Sequence, residues 1–321
     1  MGRHVLVTGA QGNLGQKLIR HLLLQPLVDR ITGIDVMPAL TGQVAETRAE
    51  LEIKVRDQDH ELAELDYLQA DLRDWNDARW QQAAADCTEV VHLAAQVPNP
   101  NASWDDAAVS MDMNVNIGLA AVASPTCRRL VFATTNHTMG QYKDEPLAST
   151  VGPGELLPAS PYGVGTTVRL GEDGYDSPAY AAGKWAGERL YRGLALSDQG
   201  KGNTEFVCIR IGWCNHGSNH PETLTPSGTA EPRRDVPEAH REEYDRTDRW
   251  YKEMWLADRD FVALFERAVL AKSRGWPGPY ICINGMSLNT GMKWSLADTR
   301  KYLGYEPQED VYTWVPMPEQ L

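Results

Sequence analysis

The chain has 321 residues, of which 42% are hydrophobic and 23% are charged, as is typical of a folded globular protein. This length is enough for one large domain or for a domain with a cap. The formal net charge of −13 argues against nucleic acid and anionic membranes as partners, because both are recognised by basic surfaces.

Cysteine usage and the lack of a long apolar run indicate the compartment. The N-terminus leads directly into a strand-like segment, and no apolar run is long enough to span a bilayer, so we expect neither a signal peptide nor a membrane anchor. The five cysteines are scattered, and Cys208 and Cys282 lie within apolar runs. This pattern is typical of buried thiols in a reducing compartment, which predicts a cytoplasmic protein.

Three glycines follow the first apolar run, His4 to Thr8. Their spacing predicts a strand that turns into a helix, whose N–H groups would hold a pyrophosphate. The second apolar run ends in Asp35, where a carboxylate would bind a ribose diol and repel a 2′-phosphate. No Arg or Lys follows in residues 36–39. The pattern therefore predicts a site for NAD rather than NADP; the alternative is an ordinary strand–turn–helix without a nucleotide.

Further strand-like runs, at 67–70, 89–93, 130–133 and 206–211, alternate with helical patterns. The alternation predicts an α/β protein with a doubly wound parallel sheet of the Rossmann type in residues 1–212. We expect residues 213–321 to form a smaller substrate-binding or cap region interleaved with this core, with a helix over 261–272, a strand over 280–283 and a helix over 296–303. Three segments do not fit a minimal sheet. They are a charged insertion at 41–66, a Gly- and Pro-rich loop at 142–178 that has room for a hairpin, and a polar stretch at 214–249 followed by a helix from about Asp258.

Tyr180 and Lys184 lie four residues apart in a helical pattern and therefore share one helix face. An ammonium beside a phenol lowers the pKa of the phenol, as a tyrosine that acts as a base requires. Thr135, at the end of another strand, is placed to supply a hydroxyl for the substrate oxygen. Tyr162 is the competing tyrosine, but Thr166 at the corresponding position cannot supply the cation.

These motifs, in this order, resemble the extended short-chain dehydrogenase/reductase family, also described as NAD-dependent epimerases/dehydratases. The likeness covers at least residues 4–212 and includes Thr8 to Gly15, the Asp71-Leu72 pair, Thr135 and the Tyr180–Lys184 pair. It implies NAD as cofactor and Asn114 as a residue behind Lys184 in the catalytic group. The implied NAD contacts are Gly9, Gln11, Gly12, Asn13, Leu14, Gly15, Asp35, Asp71, Leu72, Leu93, Ala94, Ala95 and Lys184.

The run from Val131 to Gly140 is similar to a stretch of uronate dehydrogenases and related NAD-dependent aldose and glucose-6-phosphate dehydrogenases. That likeness implies oxidation of the C1 hydroxyl of a sugar to a lactone, with Tyr180 as base. The implied substrate contacts are Gln96, Thr135, Asn136, His137, Tyr180, Arg210 and Trp213.

In the resembled uronate dehydrogenases the arginine at the position of Arg210 holds the substrate carboxylate. Because a guanidinium binds carboxylate, phosphate or sulfonate alike, the resemblance implies an acidic aldose. A structural ion pair of Arg210 with an acidic residue is the alternative. Gln96 and Trp213 depart from the pattern of the uronate dehydrogenases and leave the exact sugar open. Cys214, His216 and His220 lack a fourth partner, so no metal site is expected.

The resembled family also implies a homodimer or higher homo-oligomer. Two other functions remain open from the residues alone. One is a sugar-nucleotide epimerase or dehydratase that keeps NAD tightly bound, and the other is a non-catalytic NAD-binding protein.

Overall fold

The computed structural model describes residues 2–38, 62–96, 102–170, 173–197, 204–224 and 237–317. Residues 41–61 of the predicted insertion therefore lie outside the described residues. The strands are β1 (Arg3–Thr8), β2 (Val28–Asp35), β3 (Glu64–Gln69), β4 (Glu89–His92), β5 (Arg129–Thr135), β6 (Thr167–Leu170), β7 (Asp173–Asp176), β8 (Glu205–Ile211) and β9 (Tyr280–Gly285). The α-helices are α1 (Asn13–Leu22), α2 (Ala78–Asp86), α3 (Trp104–Ala123), α4 (Pro178–Leu196), α5 (Arg241–Glu253), α6 (Asp258–Leu270) and α7 (Ala297–Leu303).

One parallel sheet organises the fold, with strand order β3-β2-β1-β4-β5-β8-β9. Alternate residues of its central strands enter two separate apolar cores, as the two-residue period of a strand requires. In β1, Val5 and Val7 pack into one core, whereas Leu6 packs into the other. Because helices cover both faces, ligands are confined to the edge where the carboxyl ends of the strands meet. The predicted doubly wound Rossmann architecture is confirmed.

Some element boundaries differ from the expectations. β3 begins at Glu64, inside the segment expected as an insertion. The long loop at 142–178 does contain a hairpin, the antiparallel pair β6–β7. β9 joins the main sheet beside β8, so the C-terminal region shares the sheet of residues 1–212.

Helix α5 was missed within the polar stretch 214–249 and continues beyond its end. Its sequence is strongly charged, yet Tyr244, Thr247, Trp250 and Tyr251 are buried on one face. The apolar face is narrow, and charged residues lie between its buried residues along the sequence. The hydrophobic pattern of this segment therefore did not indicate a helix. Within the described ranges, no helix combines the length and the apolarity that crossing a membrane requires.

Candidate functional site

The glycine loop connects β1 to α1 at the carboxyl edge of the sheet. Gly9 has φ +71°, a left-handed conformation that favours glycine. A Cβ at Gly15 would lie 2.1 Å from the carbonyl oxygen of Gly9, so no larger residue fits there. Gly12 is the N-cap of α1 and offers no side-chain cap. The first N–H groups of α1 are thus left without a capping side chain, and they form an anion site that fits a pyrophosphate.

Asp35, at the end of β2, lies beside this loop. Its carboxylate accepts hydrogen bonds from the backbone N–H of Gln11 (2.9 Å) and of Met37 (3.2 Å). Asp71, after β3, is paired with Arg73, whose guanidinium lowers the pKa of the Asp71 carboxyl. The carbonyl of the next residue, Leu72, accepts from the side chain of Asn116 (2.8 Å).

A buried polar network lies under the end of β4. The Thr8 hydroxyl is 2.7 Å from Nδ1 of His92, and Nε2 of His92 is 2.9 Å from Oδ1 of Asn114. Burial lowers the pKa of His92 to about 3, so the ring is neutral. The Asn114 carbonyl accepts from the hydroxyl of Tyr191 (3.1 Å). Asn114, predicted to stand behind Lys184, is therefore fixed by His92 and Tyr191. The backbone N–H of Ala94 also donates to the Thr8 hydroxyl, which ties β4 to the glycine loop.

Tyr180, Thr135 and Lys184 are brought together where β5 ends against α4. The side chain of Thr135 lies close enough to the Tyr180 phenol to lower its pKa. The ammonium of Lys184 lies 5.9 Å from the centre of the Tyr180 ring and donates to the carbonyl of Ala133 (2.7 Å). Helix α4 begins with a proline, which is compatible with its first turn and places Tyr180 on that turn.

The electrostatics of this group differ from the sequence expectation. Burial raises the pKa of Tyr180 to about 12, whereas the side chain of Thr135 lowers it. Burial also lowers the pKa of Lys184 to about 7. The expected lowering of the phenol pKa by Lys184 was wrong for the protein alone. Desolvation penalises both charged forms, and the ammonium is directed at a backbone carbonyl.

His137 lies among aromatic rings next to Tyr180. Its ring centre is 6.2 Å from that of Tyr180, 6.1 Å from that of Trp213 and 6.4 Å from that of Tyr251. Nδ1 of His137 is 2.7 Å from the hydroxyl of Thr166. Burial lowers the pKa of His137 to about 4, so a neutral imidazole faces this cluster at neutral pH.

Asn136 and Gln96 are two further predicted substrate contacts. The Asn136 side-chain amide donates to the carbonyl of Ile211 (3.0 Å), and its buried Oδ1 has no donor in the described part of the chain. Gln96 has an exposed side chain, and its N–H donates to the hydroxyl of Ser110.

Arg210 is fully buried and makes a two-pronged ion pair with Glu188 on α4, at 3.1 and 2.9 Å. Its remaining guanidinium nitrogen donates to the carbonyl of Pro158 (3.1 Å). The competing tyrosine, Tyr162, donates to the same carboxylate (3.1 Å), as does Thr134. Arg210 thus occupies the structural ion pair that was the alternative to a substrate clamp, and Tyr162 belongs to that pair rather than to the catalytic group.

Four residues of this region were missed by the sequence analysis: His92, Thr166, Glu188 and Tyr251. Glu188 follows Lys184 by four residues, so helical spacing alone could have placed it on the same face. His92, Thr166 and Tyr251 reach the site through contacts between distant segments, which no local sequence pattern predicts. Cys214 donates through Sγ to the carbonyls of Gly212 and Leu256. Among the described residues, no group of three or more His, Cys, Asp and Glu side chains is arranged to hold a metal.

Comparison with known proteins places these features in a family. The sequence model described as "NAD dependent epimerase/dehydratase family" matches residues 5–212. L-arabinose 1-dehydrogenase (NAD(P)(+)) of Haloferax volcanii is 29% identical over 310 residues, which cover 96% of this chain and 98% of that protein. The NAD-dependent glucose-6-phosphate dehydrogenase of the same organism is 26% identical, over 97% of this chain and 95% of that protein.

Solved structures support the fold. A mutated uronate dehydrogenase has a TM-score of 0.61 at 22% identity and covers 98% of this chain and 84% of its own. The Bordetella bronchiseptica enzyme WbmG, solved with NAD, has a TM-score of 0.55 at 18% identity, covering 97% of this chain and 90% of its own.

Proposed function

The chain belongs to the NAD dependent epimerase/dehydratase family, and from that premise we propose that it oxidises the C1 hydroxyl of a cyclic aldose to a lactone. It is an NAD-dependent oxidoreductase that acts on a CH–OH group. The observation that carries the proposal is the position of the Tyr180 phenol. It lies beside Thr135, whose side chain lowers its pKa, at the sheet edge that also holds the glycine loop, and the Lys184 ammonium is 5.9 Å from its ring centre.

In the proposed reaction, Tyr180 accepts the proton of the C1 hydroxyl. The Thr135 hydroxyl holds the same oxygen, and the protonated form of Lys184 stabilises the phenolate. Bound NAD supplies the acceptor for the hydride that leaves C1. The balance is aldose plus NAD⁺ giving lactone, NADH and a proton.

Residues beside the catalytic group would hold the rest of the sugar. The unpartnered Oδ1 of Asn136 suits a sugar hydroxyl, because a buried acceptor without a donor is costly. Neutral His137 suits a second hydroxyl, and the ring of Trp213 suits the apolar face of a pyranose or furanose.

The sugar that we propose is neutral. The prediction of an acidic aldose depended on Arg210, and the Glu188 carboxylate already neutralises that guanidinium. The relative with 29% identity is described as acting on L-arabinose, a neutral sugar. An acidic sugar is therefore the competing result of the test.

The experiment is NADH formation, followed by absorbance, with L-arabinose, D-xylose, D-galactose, glucose, glucose 6-phosphate, glucuronate and galacturonate. Turnover of a neutral sugar with little of its acidic counterpart is expected. Preference for an acidic sugar would contradict the neutral pocket but keep the dehydrogenase. No NADH with every sugar, together with NAD retained through purification, would favour the epimerase or dehydratase alternative.

Asp35→Asn tests the cofactor preference. Loss of the negative charge weakens the ribose contact and removes the repulsion of a 2′-phosphate, so the ratio of kcat/KM for NAD over NADP should fall by about 10- to 100-fold. Asp66→Asn is the matched control, because Asp66 pairs with Arg30 on the exposed surface. An unchanged ratio in Asp35→Asn would contradict the role of this carboxylate.

Oligomerisation is also part of the proposal. Met111, Val115 and Leu119 lie four residues apart on α3, and each is 36–41% exposed. Such an apolar row favours association with a second copy of the chain. Light scattering should give the mass of a dimer or higher oligomer, and a monomer at micromolar concentration would contradict it.

A further inference from the structure

One face of α1 is joined to the substrate side of the molecule. Asn13, Lys17 and His21 are four residues apart and therefore lie on the same helix face. The Asn13 amide donates to the carbonyl of Asn215 (3.0 Å), and the Lys17 ammonium is 2.7 Å from Oδ1 of Asp258. His21 is 2.6 Å from Glu266 on α6. Each turn of α1, the helix that begins at the pyrophosphate site, therefore bonds a residue of the segments that follow β8.

The segment that receives Asn13 also carries Trp213, the aromatic wall of the proposed sugar site. The indole N–H of Trp213 donates to Oδ1 of Asn215 (2.6 Å), and the Asn215 N–H donates to Oδ1 of Asn219 (2.6 Å). Asn219 is buried with φ 54°, and its amide donates to Leu256 and Asp258. Asn215 therefore has one contact with α1 and another with the Trp213 ring.

The order of these contacts defines a path. Asn13 is the first residue of α1, so its own N–H is among those left for the anion, while its side chain reaches the 213–219 segment. Lys17 and Asn219 meet at the same oxygen of Asp258, which gives a second connection one turn further along. A ligand that fixes the N-terminus of α1 therefore restrains the segment that positions Trp213.

We propose that Asn13 is a positioning residue through which an occupied cofactor site orders Trp213 and so raises the affinity for sugar. The predicted gain in sugar affinity rests on the proposed function, whereas the predicted ordering of Trp213 by the cofactor does not. One ordinary hydrogen bond corresponds to about a fivefold change in an equilibrium constant. We therefore expect effects of about fivefold from removing the Asn13 amide.

The first experiment is amide hydrogen exchange of the full chain with and without saturating NADH, with saturation checked by titration of NADH fluorescence. In the wild type, NADH should slow exchange in residues 213–219 by about fivefold or more. In Asn13→Leu, which keeps the shape but lacks the donor, that protection should be lost while residues 9–15 stay protected. Gln16→Leu is the matched control, because the side chain of Gln16 donates to the Gln11 carbonyl of its own loop (2.8 Å) rather than to residues 213–219, and the protection should persist there.

The second measurement is a double-mutant cycle with Trp213→Phe, which keeps a ring but loses the indole N–H. Each single change should raise KM for sugar about fivefold with little loss of kcat, and the two together should raise it no further. Two results would overturn the inference: a KM for sugar in the double variant that is the product of the two single effects, or full NADH protection of residues 213–219 in Asn13→Leu. If no sugar is oxidised, the proposed function fails, and the exchange experiment still decides the role of Asn13.

Discussion

Tyr180→Phe should lower kcat for aldose oxidation by roughly 100- to 10,000-fold, the range that one general base contributes. The variant removes the hydroxyl whose pKa Thr135 lowers and keeps the ring, whose centre lies 6.2 Å from that of His137. Because no charge or packing is lost, the dissociation constant of NADH should change little. Steady-state kinetics and an NADH titration provide the two measurements.

Tyr162→Phe is the control for this prediction. Tyr162 donates to Glu188 rather than to Thr135, so its removal should affect stability more than turnover. If Tyr162→Phe abolished turnover and Tyr180→Phe kept it, the base would be assigned to the wrong tyrosine.

The pH profile gives an independent view of the same base. Burial raises the pKa of Tyr180 to about 12 in the protein alone, so only a small fraction is ionised near neutral pH. Since the phenolate is the active form, kcat/KM should rise with pH by up to about tenfold per unit until the operating pKa is reached. A plateau well below pH 12 would measure how far the charges of the assembled complex lower that pKa. The Phe variant should lack the rise.

Arg210→Leu should lower the free energy of unfolding by about 3–5 kcal/mol, because it leaves the fully buried Glu188 carboxylate without its counter-ion. The same pair joins β8 to α4, the helix of Tyr180 and Lys184, so the variant should also lose turnover. That loss should be equal for neutral and anionic sugars, since the guanidinium holds Glu188 and not substrate. Urea unfolding and the sugar panel measure the two effects.

The double variant Arg210→Leu with Glu188→Leu separates an unpaired charge from lost packing. Removing both charges should restore a large part of the stability that Arg210→Leu loses. In the double variant Thr134 and Tyr162 lose their acceptor, Glu188, so recovery should be incomplete. A stable Arg210→Leu variant with a raised KM for anionic sugars alone would restore the clamp interpretation.

Local patterns predicted the parts of the site that depend on local geometry. The glycine loop and Asp35 could be identified because a strand, a tight turn and a helix follow each other within one stretch of chain. The pairing of Tyr180 with Lys184 follows from helical spacing alone. The doubly wound parallel sheet followed from the alternation of strands and helices.

The remainder depends on contacts between distant segments. Arg210 meets Glu188 only because β8 lies beside β5 and α4 packs across both, and no sequence spacing records that. A buried guanidinium and a substrate-binding guanidinium have the same sequence signature, so the acidic-sugar prediction relied on a residue whose partner was hidden. Tyr251 was missed for a different reason, because its helix, α5, is mostly charged.

The central claim is that hydride passes from C1 of an aldose to NAD at Tyr180. It is tested most directly with the best sugar of the panel carrying deuterium at C1. The account predicts deuterium at C4 of the nicotinamide in the NADH formed and a lactone as the first product, both formed roughly 100- to 10,000-fold more slowly in Tyr180→Phe. Unlabelled NADH, or a sugar altered at another carbon, would contradict it.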